Sequence, residues 1–167
     1  QKGLNIVTII IPRHINRSPK ILEICNYEKL KSQIIKSHNE ILEGTEILII
    51  NSIGEMSKYF FACRSIFMGK SFLDKLINVG GQNPIEAAKC GCKIYHGPYV
   101  SNFKEIYSYL NEKKIAFEVS NENDLADNLF KDIGEIENFN KKNIPDLNSF
   151  GDKILNLTTE EVLRLTK

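Results

Sequence analysis

The feature that most constrains the fold of this chain is a repeated alternation of short apolar runs with amphipathic segments. The apolar runs predict strands, and the segments between them carry apolar residues at helical spacing. The expected strands cover residues 5–11, 33–37, 46–50, 65–68, 93–96 and 115–119. Strands that alternate with helices in this way predict an α/β fold with a Rossmann-like, doubly wound parallel sheet. We expect the first strand, rich in Ile and Val, to be buried on both faces.

The segments between these runs predict the helices. We expect them over residues 19–31, from Gly54 or Glu55 to Ala62, from Pro84, over 102–111, and from a cap at 121–123 to Ile133. In the helix over 102–111, one face carries Phe103, Ile106, Tyr107 and Leu110. We expect residues 1–144 to form one domain. Residues 145–167, polar and interrupted by proline and glycine, are expected to form a helical tail of the same domain.

The length, net charge and cysteine spacing of the chain limit the classes of protein to which it can belong. A chain of 167 residues is long enough for one domain with a real core. The 22 basic and 21 acidic residues leave a net charge of +1, which gives no reason to expect nucleic acid as a partner. The four cysteines show no C-x-x-C spacing, so we expect free thiols and no metal site. No signal peptide or long apolar run is present, and we expect a soluble fragment of a longer protein.

A Gly-Gly-Gln-Asn turn at residues 80–83 is the first candidate binding feature. Two glycines allow a tight turn and close approach of the backbone to a ligand. Pro84 suits the first helical position, which makes Asn83 the expected N-cap and the turn a candidate phosphate site. Glu86, on the first turn, could accept hydrogen bonds from ribose hydroxyls. The alternative is a Gly-Gly turn that merely joins a strand to a helix.

Two other expected strands end in residues suited to ligand binding. Arg13, His14 and Arg17 follow the first strand, and residues 53–55 follow the strand over 46–50. Ligands of open α/β sheets bind beyond the carboxyl ends of the strands, so the basic residues are well placed for a phosphate or carboxylate. A solvated basic loop is the alternative. Glu55 could equally be a first-turn acid that complements the dipole of its helix.

The three histidines differ in what they suggest. His14 is as consistent with a contact to a phosphate or carboxylate as with a plain loop residue. His96 ends a predicted strand before Gly-Pro, and we favour a structural role for it. His38 lies in a polar stretch and is expected to be solvated.

Three strand-end motifs, in order along the chain, carry a resemblance to a known family. They read PRHINR, then NSIGEM, then FMGKSF followed by NVGGQNPIEAAKCGCKIYHGPYVSNFKEI. Together they resemble the carboxyl-terminal half of the bacterial Kdo (3-deoxy-D-manno-octulosonic acid) transferases, from about residue 6 to residue 133. This resemblance implies a GT-B glycosyltransferase, in which two Rossmann-like domains face each other and the second domain holds the nucleotide sugar.

The resemblance also implies a substrate and a setting. The donor would be CMP-Kdo and the acceptor a lipid A precursor, lipid IVA, in lipopolysaccharide core biosynthesis of Gram-negative bacteria. The family's catalytic base, acceptor site and membrane association belong to the amino-terminal domain, so no catalytic residue is expected here and the fragment alone is expected to be inactive. The full-length protein would work at the cytoplasmic face of the inner membrane, without a metal or other cofactor.

Family positions can be carried over residue by residue. The implied nucleotide contacts are Pro12, Arg13, Ile53, Gly54, Glu55, Asn83, Pro84, Ile85 and Glu86, and possible further donor contacts are His14, Arg17, Gly80, Gly81 and Gln82. The chain departs from the family pattern at Gln82, where the family usually has His, at Ala87, where it often has Pro, and at Asn51, where it frequently has Asp. Gln82 can donate a hydrogen bond but cannot carry a charge or shuttle a proton.

Two other functions fit the same residues. The domain could use another nucleotide sugar, such as a UDP-sugar, and a comparison of CMP with UDP binding would separate the two donors. It could also be a non-catalytic nucleotide-binding or docking module, in which case Arg13→Ala and Glu86→Ala would leave function unchanged.

Overall fold

A computed structural model describes residues 6–36, 40–52 and 54–134 of the chain. The chain divides into two compact units, which we call unit 1, up to Met56, and unit 2, from Ser57 onward. The tail over residues 145–167 and His38 lie outside the described residues, so the expectations for them, and the domain boundary at 144, stay predictions.

In its described residues, unit 1 contains a three-stranded parallel sheet and the helix α1. Its elements are β1 (Thr8–Ile10), a 3₁₀ turn (Ile15–Arg17), α1 (Ser18–Tyr27), β2 (Ser32–Ile35) and β3 (Ile47–Ile50). The strand order is β1-β3-β2, with Ile10 opposite Ile49 and Ile35 opposite Ile50.

The buried strand of this sheet is β3, not β1. Leu48, Ile49 and Ile50 of β3 are buried, as expected for the strand with a neighbour on each side. In β1, Thr8 is exposed and the two isoleucines are half-buried. The expectation that the first strand is buried on both faces is therefore wrong for its described part, because within this sheet β1 pairs with β3 alone.

Helix α1 packs on the sheet of unit 1 through its first and last turns. Ser18, fully buried, has its hydroxyl 3.5 Å from Oδ1 of Asn51, just after β3. At the other end the chain turns back through Lys29, whose φ is +58°, and the Leu30 amide donates to the Cys25 carbonyl at 2.9 Å. This i to i−5 bond is the Schellman pattern that ends a helix sharply.

Unit 2 repeats the alternation with a second parallel sheet. Its elements are α2 (Met56–Ala62, which begins at the last residue of unit 1), β4 (Ser65–Met68), a 3₁₀ turn (Asp74–Leu76), α3 (Ile85–Lys89), β5 (Lys93–His96), a second 3₁₀ turn (Ser101–Phe103), α4 (Lys104–Glu112), β6 (Ala116–Glu118) and α5 (Glu122–Gly134). The strand order is β4-β5-β6, with Met68, His96 and Glu118 side by side at the carboxyl ends.

The core of unit 2 surrounds β5, the middle strand of its sheet. Ile94 of β5, Ala87 and Ala88 of α3, and Tyr107 and Leu110 of α4 belong to one buried cluster. Phe103 and Ile106 pack against this cluster while half-buried, so the predicted apolar face of α4 is confirmed. The small residues of α3 allow its backbone to approach the sheet closely, and the cluster fixes both α3 and α4 on the same sheet.

Helix α5 is attached to the sheet by a polar network around Asp132. Its carboxylate accepts from Lys93 Nζ at 2.5 Å, from the Tyr95 hydroxyl at 2.8 Å and from the Ser65 hydroxyl at 2.6 Å. Lys93 also lies over the Tyr95 and Phe117 rings, 5.3 and 5.0 Å from their centroids. At the start of α5, Oδ1 of Asn121 accepts from the Asp124 amide at 3.0 Å, which confirms the predicted cap.

The loop between β4 and α3 is held by a buried serine. The Ser71 hydroxyl donates to the Met68 carbonyl at 2.8 Å and accepts from the Gly97 amide at 2.9 Å. The Ser71 carbonyl accepts from the Tyr99 amide at 3.0 Å. A methyl group at Gly97 would lie 2.3 Å from that carbonyl, so the two loops can approach this closely only with glycine at 97. The loop over 97–103 thus forms a rigid backing for residues 70–83.

Candidate functional site

Two of the three predicted groups of site residues lie at neighbouring strand ends in unit 1. Because β1 and β3 are adjacent and parallel, with Ile10 opposite Ile49, the segments that follow them start side by side. Pro12 and Arg13 follow β1, and residues 51–55 follow β3. The segments that lead to Arg13 and to Gly54 therefore start at the same edge of the sheet. The third group, residues 80–86, belongs to unit 2 and is considered separately.

The basic side chains after β1 are turned to solvent. Arg13, His14 and Arg17 are all exposed, while Pro12 is half-buried. The Arg17 amide donates to the His14 carbonyl at 3.0 Å, which closes the 3₁₀ turn before α1. Exposed guanidinium groups are accessible to an anionic ligand, and such groups bind phosphate and carboxylate with charge-assisted hydrogen bonds. The same exposure fits a solvated basic loop, so both interpretations remain for His14.

The corner after β3 is closed by a side-chain hydrogen bond. The Ser52 hydroxyl donates to Oε2 of Glu55 at 2.6 Å, and Gly54 between them has a φ of +83°. That backbone conformation is one that glycine adopts at little cost. Helix α2 begins at Met56, slightly later than predicted. Glu55 is half-buried and stands just before the helix, and Ile53 lies outside the described residues.

The two glycines of the turn at 80–83 are required by packing within unit 2. A methyl group at Gly80 would lie 2.2 Å from the Tyr99 carbonyl oxygen. Gly81 has a φ of +93°, and its amide donates to the Lys70 carbonyl at 2.8 Å. Both glycines are buried. Their structural role is therefore established independently of any ligand, and a ligand role for them stays a prediction.

Asn83 caps α3 as the sequence predicts. Its Oδ1 accepts from the Ile85 amide at 3.0 Å, and the Pro84 carbonyl accepts from the Ala88 amide at 2.9 Å. Pro84 has helical backbone angles, although the helix is assigned from Ile85. Because α3 has five residues, its dipole is small, and the anion attraction expected of this turn must come from individual peptide N–H groups. Asn83 and Glu86 are exposed, so both are accessible to a ligand.

The carbonyl groups of the turn are held by residues that the sequence analysis did not assign to the site. The Asn102 amide donates to the Gly80 carbonyl at 3.1 Å, and Nδ2 of Asn102 donates to the Val79 carbonyl at 2.9 Å. The Tyr107 hydroxyl donates to the Gln82 carbonyl at 2.9 Å. A tyrosine on the buried face of a helix requires a partner for its hydroxyl, and this was the available signal. Burial raises the pKa of Tyr107 well above its usual value, so the hydroxyl stays a donor at neutral pH.

His96 has a structural role, as we predicted. It is buried, with Nδ1 2.8 Å from the Gly97 carbonyl oxygen and Nε2 3.1 Å from Oδ1 of Asn111. Its ring lies against the Tyr107 ring, with 4.4 Å between the centroids. Both ring nitrogens therefore have protein partners, and the imidazole joins the end of β5 to α4.

A cavity of about 320 Å³ lies beside the carboxyl ends of β5 and β6. It is lined by Ile77, His96, Pro98, Tyr99, Val100, Ser101, Lys104, Tyr107, Ser108, Asn111 and Glu118. In the described part of the chain, none of the predicted site residues is among these lining residues. One cation, one carboxylate and several hydroxyl groups give the cavity a polar wall, and Ile77 and Val100 give it an apolar one.

Neither a metal-binding group of side chains nor a membrane-spanning helix occurs among the described residues. No group of three or more His, Cys, Asp and Glu side chains among them could hold a metal ion. No helix in the described ranges is long and apolar enough to cross a membrane. The four cysteines are free, as predicted.

No family model matches this chain, but several known proteins are similar to most of it in sequence. A bifunctional glycosyltransferase/methyltransferase of Fusobacterium nucleatum is 29% identical over 95% of this chain and 24% of its own length. The 3-deoxy-D-manno-octulosonic acid transferase of Rickettsia felis is 32% identical over 77% of this chain and 27% of its own. That of Aquifex aeolicus is 29% identical over 72% of this chain and 32% of its own.

The chain is related in sequence to the Kdo transferases. It spans about a quarter to a third of the length of the curated relatives it matches. Among solved structures, it is similar to the C-terminal CMP-Kdo binding domain of WaaA from Acinetobacter baumannii. That likeness has a TM-score of 0.71 and 23% identity, and it covers 78% of this chain and 66% of the other. The predicted α/β fold with parallel strands is confirmed, and it matches the fold of that C-terminal domain.

Most of the positions carried over from the Kdo transferases lie at least partly at the surface. The positions carried over from the family lie on exposed or half-buried segments of both units, apart from buried Gly80, Gly81 and Pro84, with Ile53 outside the described residues. Their contacts with a donor remain predictions. The structure adds what holds these segments in place: Ser52 for the Gly54 corner, and Asn102 and Tyr107 for the turn over 80–83.

Proposed function

We propose that this chain is the donor-binding part of a Kdo transferase. In this proposal it holds CMP-Kdo while Kdo is transferred to a lipid A precursor, lipid IVA, in lipopolysaccharide biosynthesis. The observation that carries the proposal is the match in fold to a domain described as binding CMP-Kdo, over 78% of this chain. The sequence relatives that are Kdo transferases support the same conclusion.

Arg13 is the residue that we assign to the donor phosphate. CMP-Kdo carries one phosphodiester, and its charge grows as the bond to Kdo breaks. Arg13 is exposed at the end of β1, where a guanidinium can bind that group and stabilise the departing CMP. The amide of Gly54, after the neighbouring strand, is a second candidate donor. A single cation and peptide N–H groups can balance one phosphate, so we propose that no metal is needed.

In unit 2, we assign the nucleotide to Asn83 and Glu86. Glu86 is exposed on the first turn of α3, where its carboxylate can accept hydrogen bonds from ribose hydroxyls. Asn83 already uses its side chain as the cap of α3, so its peptide N–H, not its side chain, is the group that we assign to the nucleotide. Half-buried Ile85 would then form the wall of the turn that the nucleotide contacts, whereas the Pro84 side chain is fully buried.

The remaining parts of the reaction are assigned to the portion of the parent protein that this chain does not span. Attack of a sugar hydroxyl on the activated Kdo needs a general base, and we place that base, the acceptor site and membrane association there. The parent would act at the cytoplasmic face of the inner membrane. This chain alone should bind the donor without transferring it.

Calorimetric titration of the chain with CMP tests the assignment of Arg13. Arg13→Ala should weaken CMP binding by about tenfold, because a charge-assisted hydrogen bond to phosphate contributes about 1.5–3 kcal/mol. Lys20→Ala is the matched control, since Lys20 is an exposed cation on α1 of the same unit. Equal affinities for all three proteins would contradict the assignment, and tighter binding of UDP than of CMP would favour a different nucleotide-sugar donor.

A further inference from the structure

The loop over residues 70–81 carries a concentration of exposed apolar side chains. The large apolar side chains that are exposed in the described part of unit 2 are Phe61, Leu73, Ile77, Val79 and Phe130. Three of these five lie in this loop, where Leu73 is 55% exposed, Ile77 59% and Val79 50%. Single exposed apolar residues are common on protein surfaces, but several on one short segment indicate a binding surface.

The loop is closed and held in a fixed shape. The Gly81 amide donates to the Lys70 carbonyl at 2.8 Å, so the two ends of the loop meet. Between them, three backbone hydrogen bonds, each to the carbonyl three residues earlier, coil residues 73–79. Nδ2 of Asn102 also donates to the Val79 carbonyl at 2.9 Å. Because the backbone is already ordered, little conformational entropy is lost when the exposed side chains contact a partner.

The charges within this loop are mainly positive. Lys75 is exposed and Lys70 is half-buried. Asp74 is the one carboxylate between residues 70 and 81, and it accepts a hydrogen bond from the Tyr99 hydroxyl. The apolar side chains therefore lie among two cations and a carboxylate that already has a partner.

Aliphatic side chains among lysines match the surface of an anionic lipid bilayer. Aliphatic groups enter the boundary between headgroups and acyl chains, and lysines are attracted by the negative headgroups. The cavity beside Ile77 leaves this charge balance unchanged, because Lys104 and Glu118 both line it.

The composition of the loop fits a protein partner less well. The centres of protein–protein contacts are enriched in arginine and in aromatic residues. Residues 70–81 contain no arginine, and Phe72 is their single aromatic residue. Phe72 is half-buried and stacks on Phe67 with 4.9 Å between the ring centroids. The surface of the loop is thus aliphatic and cationic.

We infer that this loop is a membrane-surface contact, in which Leu73, Ile77 and Val79 enter the headgroup layer of an anionic bilayer while the two lysines bind lipid phosphates. The contact is a reversible one at the surface and is separate from the membrane association assigned to the rest of the parent protein. It makes no use of the nucleotide, so it goes beyond the proposed function.

Sedimentation of the chain with lipid vesicles measures this contact. The chain should bind vesicles of phosphatidylglycerol and phosphatidylcholine in equal parts, and bind vesicles of phosphatidylcholine alone much more weakly. Leu73→Asp combined with Ile77→Asp should lower binding to the anionic vesicles about tenfold, because two aliphatic side chains are lost from the contact. Thermal unfolding verifies that the variant is folded, as expected for substitutions at exposed positions.

The matched control combines Leu42→Asp with Ile24→Asp. It replaces the same two residue types at exposed positions of unit 1 and changes the net charge of the chain by the same amount. Since these positions lie outside the loop, the control should lower vesicle binding by about twofold or less, through net charge alone.

A tryptophan reporter gives a second measurement. The chain contains no tryptophan, so Ile77→Trp and Ile24→Trp each introduce a single emitter. Emission from Ile77→Trp should shift to shorter wavelength when anionic vesicles are added, because the indole leaves water for the lipid interface. Emission from Ile24→Trp should not shift.

Three results would overturn the inference. The first is absence of binding to anionic vesicles at millimolar lipid, which would leave the loop to a contact with another part of the parent protein. The second is an equal loss of binding in the two double variants, which would mean that net charge alone attracts the chain. The third is emission from Ile77→Trp that stays unshifted on vesicles that the chain binds. None of these results bears on CMP binding, so the proposed function would stand.

Discussion

At the scale of single residues, Gly80 shows how closely the turn of unit 2 is packed. A methyl group there would lie 2.2 Å from the Tyr99 carbonyl oxygen and 2.8 Å from that of Leu76. Both atoms belong to the backbone and cannot rotate aside as a side chain would. We expect Gly80→Ala to lower the free energy of unfolding by about 2–3 kcal/mol, as overpacked sites do.

Denaturant unfolding measures this effect, and Gly69→Ala provides its control. Nothing lies within 4 Å of the position that a methyl group would take at Gly69. A stability of Gly80→Ala equal to that of Gly69→Ala would show that residues 97–103 do not back the turn as described.

The Asn83 cap can be separated from its assigned ligand role by a pair of substitutions. Asn83→Ala removes the acceptor of the Ile85 amide and should cost about 0.5–2 kcal/mol of stability. Asn83→Asp keeps an acceptor in the same place and should retain most of that stability. Because the carboxylate would repel the anionic nucleotide, however, Asn83→Asp should bind CMP more weakly than Asn83→Ala does. Thermal unfolding and CMP titration of the two variants check both parts, and the reverse order of affinities would remove Asn83 from the nucleotide-binding residues.

At the scale of elements, three helices end in the same way with different residues. After α1, α3 and α4 the chain turns through Lys29, Gly91 and Lys114, with φ values of +58°, +73° and +56°. In each case the next amide bonds back five residues, as from Cys92 to the Ala87 carbonyl at 3.1 Å. Lysine has a steric cost in this conformation that glycine lacks.

Lys114→Gly should therefore stabilise the chain by about 0.5 kcal/mol, which is the relief of steric strain less the entropy cost of glycine. Gly91→Ala should destabilise it by about 1 kcal/mol for the opposite reason. Comparison of unfolding midpoints measures both. Destabilisation by Lys114→Gly would mean that the lysine side chain contributes more than its backbone strain costs.

The hydrogen bonds that attach α5 to its sheet predict that the free energy of unfolding falls at alkaline pH. Burial and the Asp132 carboxylate raise the pKa of Tyr95 to about 12. Burial alone would lower the pKa of Lys93, but its hydrogen bonds to Asp132 and Tyr95 raise it above its ordinary value. Both groups have a higher pKa folded than unfolded, so their contribution is fully present below about pH 10 and is lost as pH rises through the folded values.

We therefore expect the free energy of unfolding to fall between pH 10 and about pH 12, the value to which the pKa of Tyr95 is raised. Tyr95→Phe should reduce this fall without abolishing it, because the pKa values of Lys93 and buried Tyr107 are also raised in the folded chain. Unfolding by urea at a series of pH values measures the difference. Identical pH profiles for the two proteins would show that Tyr95 does not contribute to the linkage.

At the scale of the whole molecule, the sequence predicts where the strands and helices lie better than it predicts which elements and side chains lie beside them. The bounds of β4 and β5 match the predicted ones, since short apolar runs between polar turns identify strands directly. The predicted burial of β1 was wrong, because the burial of a strand depends on which strands lie beside it. Residues that anchor the site were missed for a similar reason. Nothing in the sequence shows which carbonyl lies opposite the Tyr107 hydroxyl, or that Ser65, Lys93 and Asp132 meet.

The site was predicted as three groups of residues, and the sequence supplied their positions along the chain. Parallel pairing of β1 and β3 explains why two of these groups begin side by side. The sequence does not show which of these side chains are already used in hydrogen bonds within the protein. Asn83 uses its side chain for the helix, and Glu55 uses part of its carboxylate for Ser52.

The proposed function also predicts that this chain alone does not catalyse the transfer of Kdo. It spans 27% of the Rickettsia felis relative and 32% of the Aquifex aeolicus one, so most of each relative lies outside the match. We expect no transfer of Kdo from CMP-Kdo to a lipid A precursor by the purified chain, measured by product formation, whereas the full-length parent should be active. Transfer by the chain alone would place the base within these 167 residues.

The most direct test of the central claim follows backbone amide shifts of the isotope-labelled chain as CMP is added, with UMP as the control. We predict that CMP binds more tightly than UMP and that the shifts concentrate at Arg13, at Gly54 and Glu55, and at Asn83, Ile85 and Glu86, since Pro84 has no amide proton. If the amides at these positions do not move at millimolar CMP, or if UMP moves them equally, the chain is not a CMP-Kdo binding domain of the kind proposed.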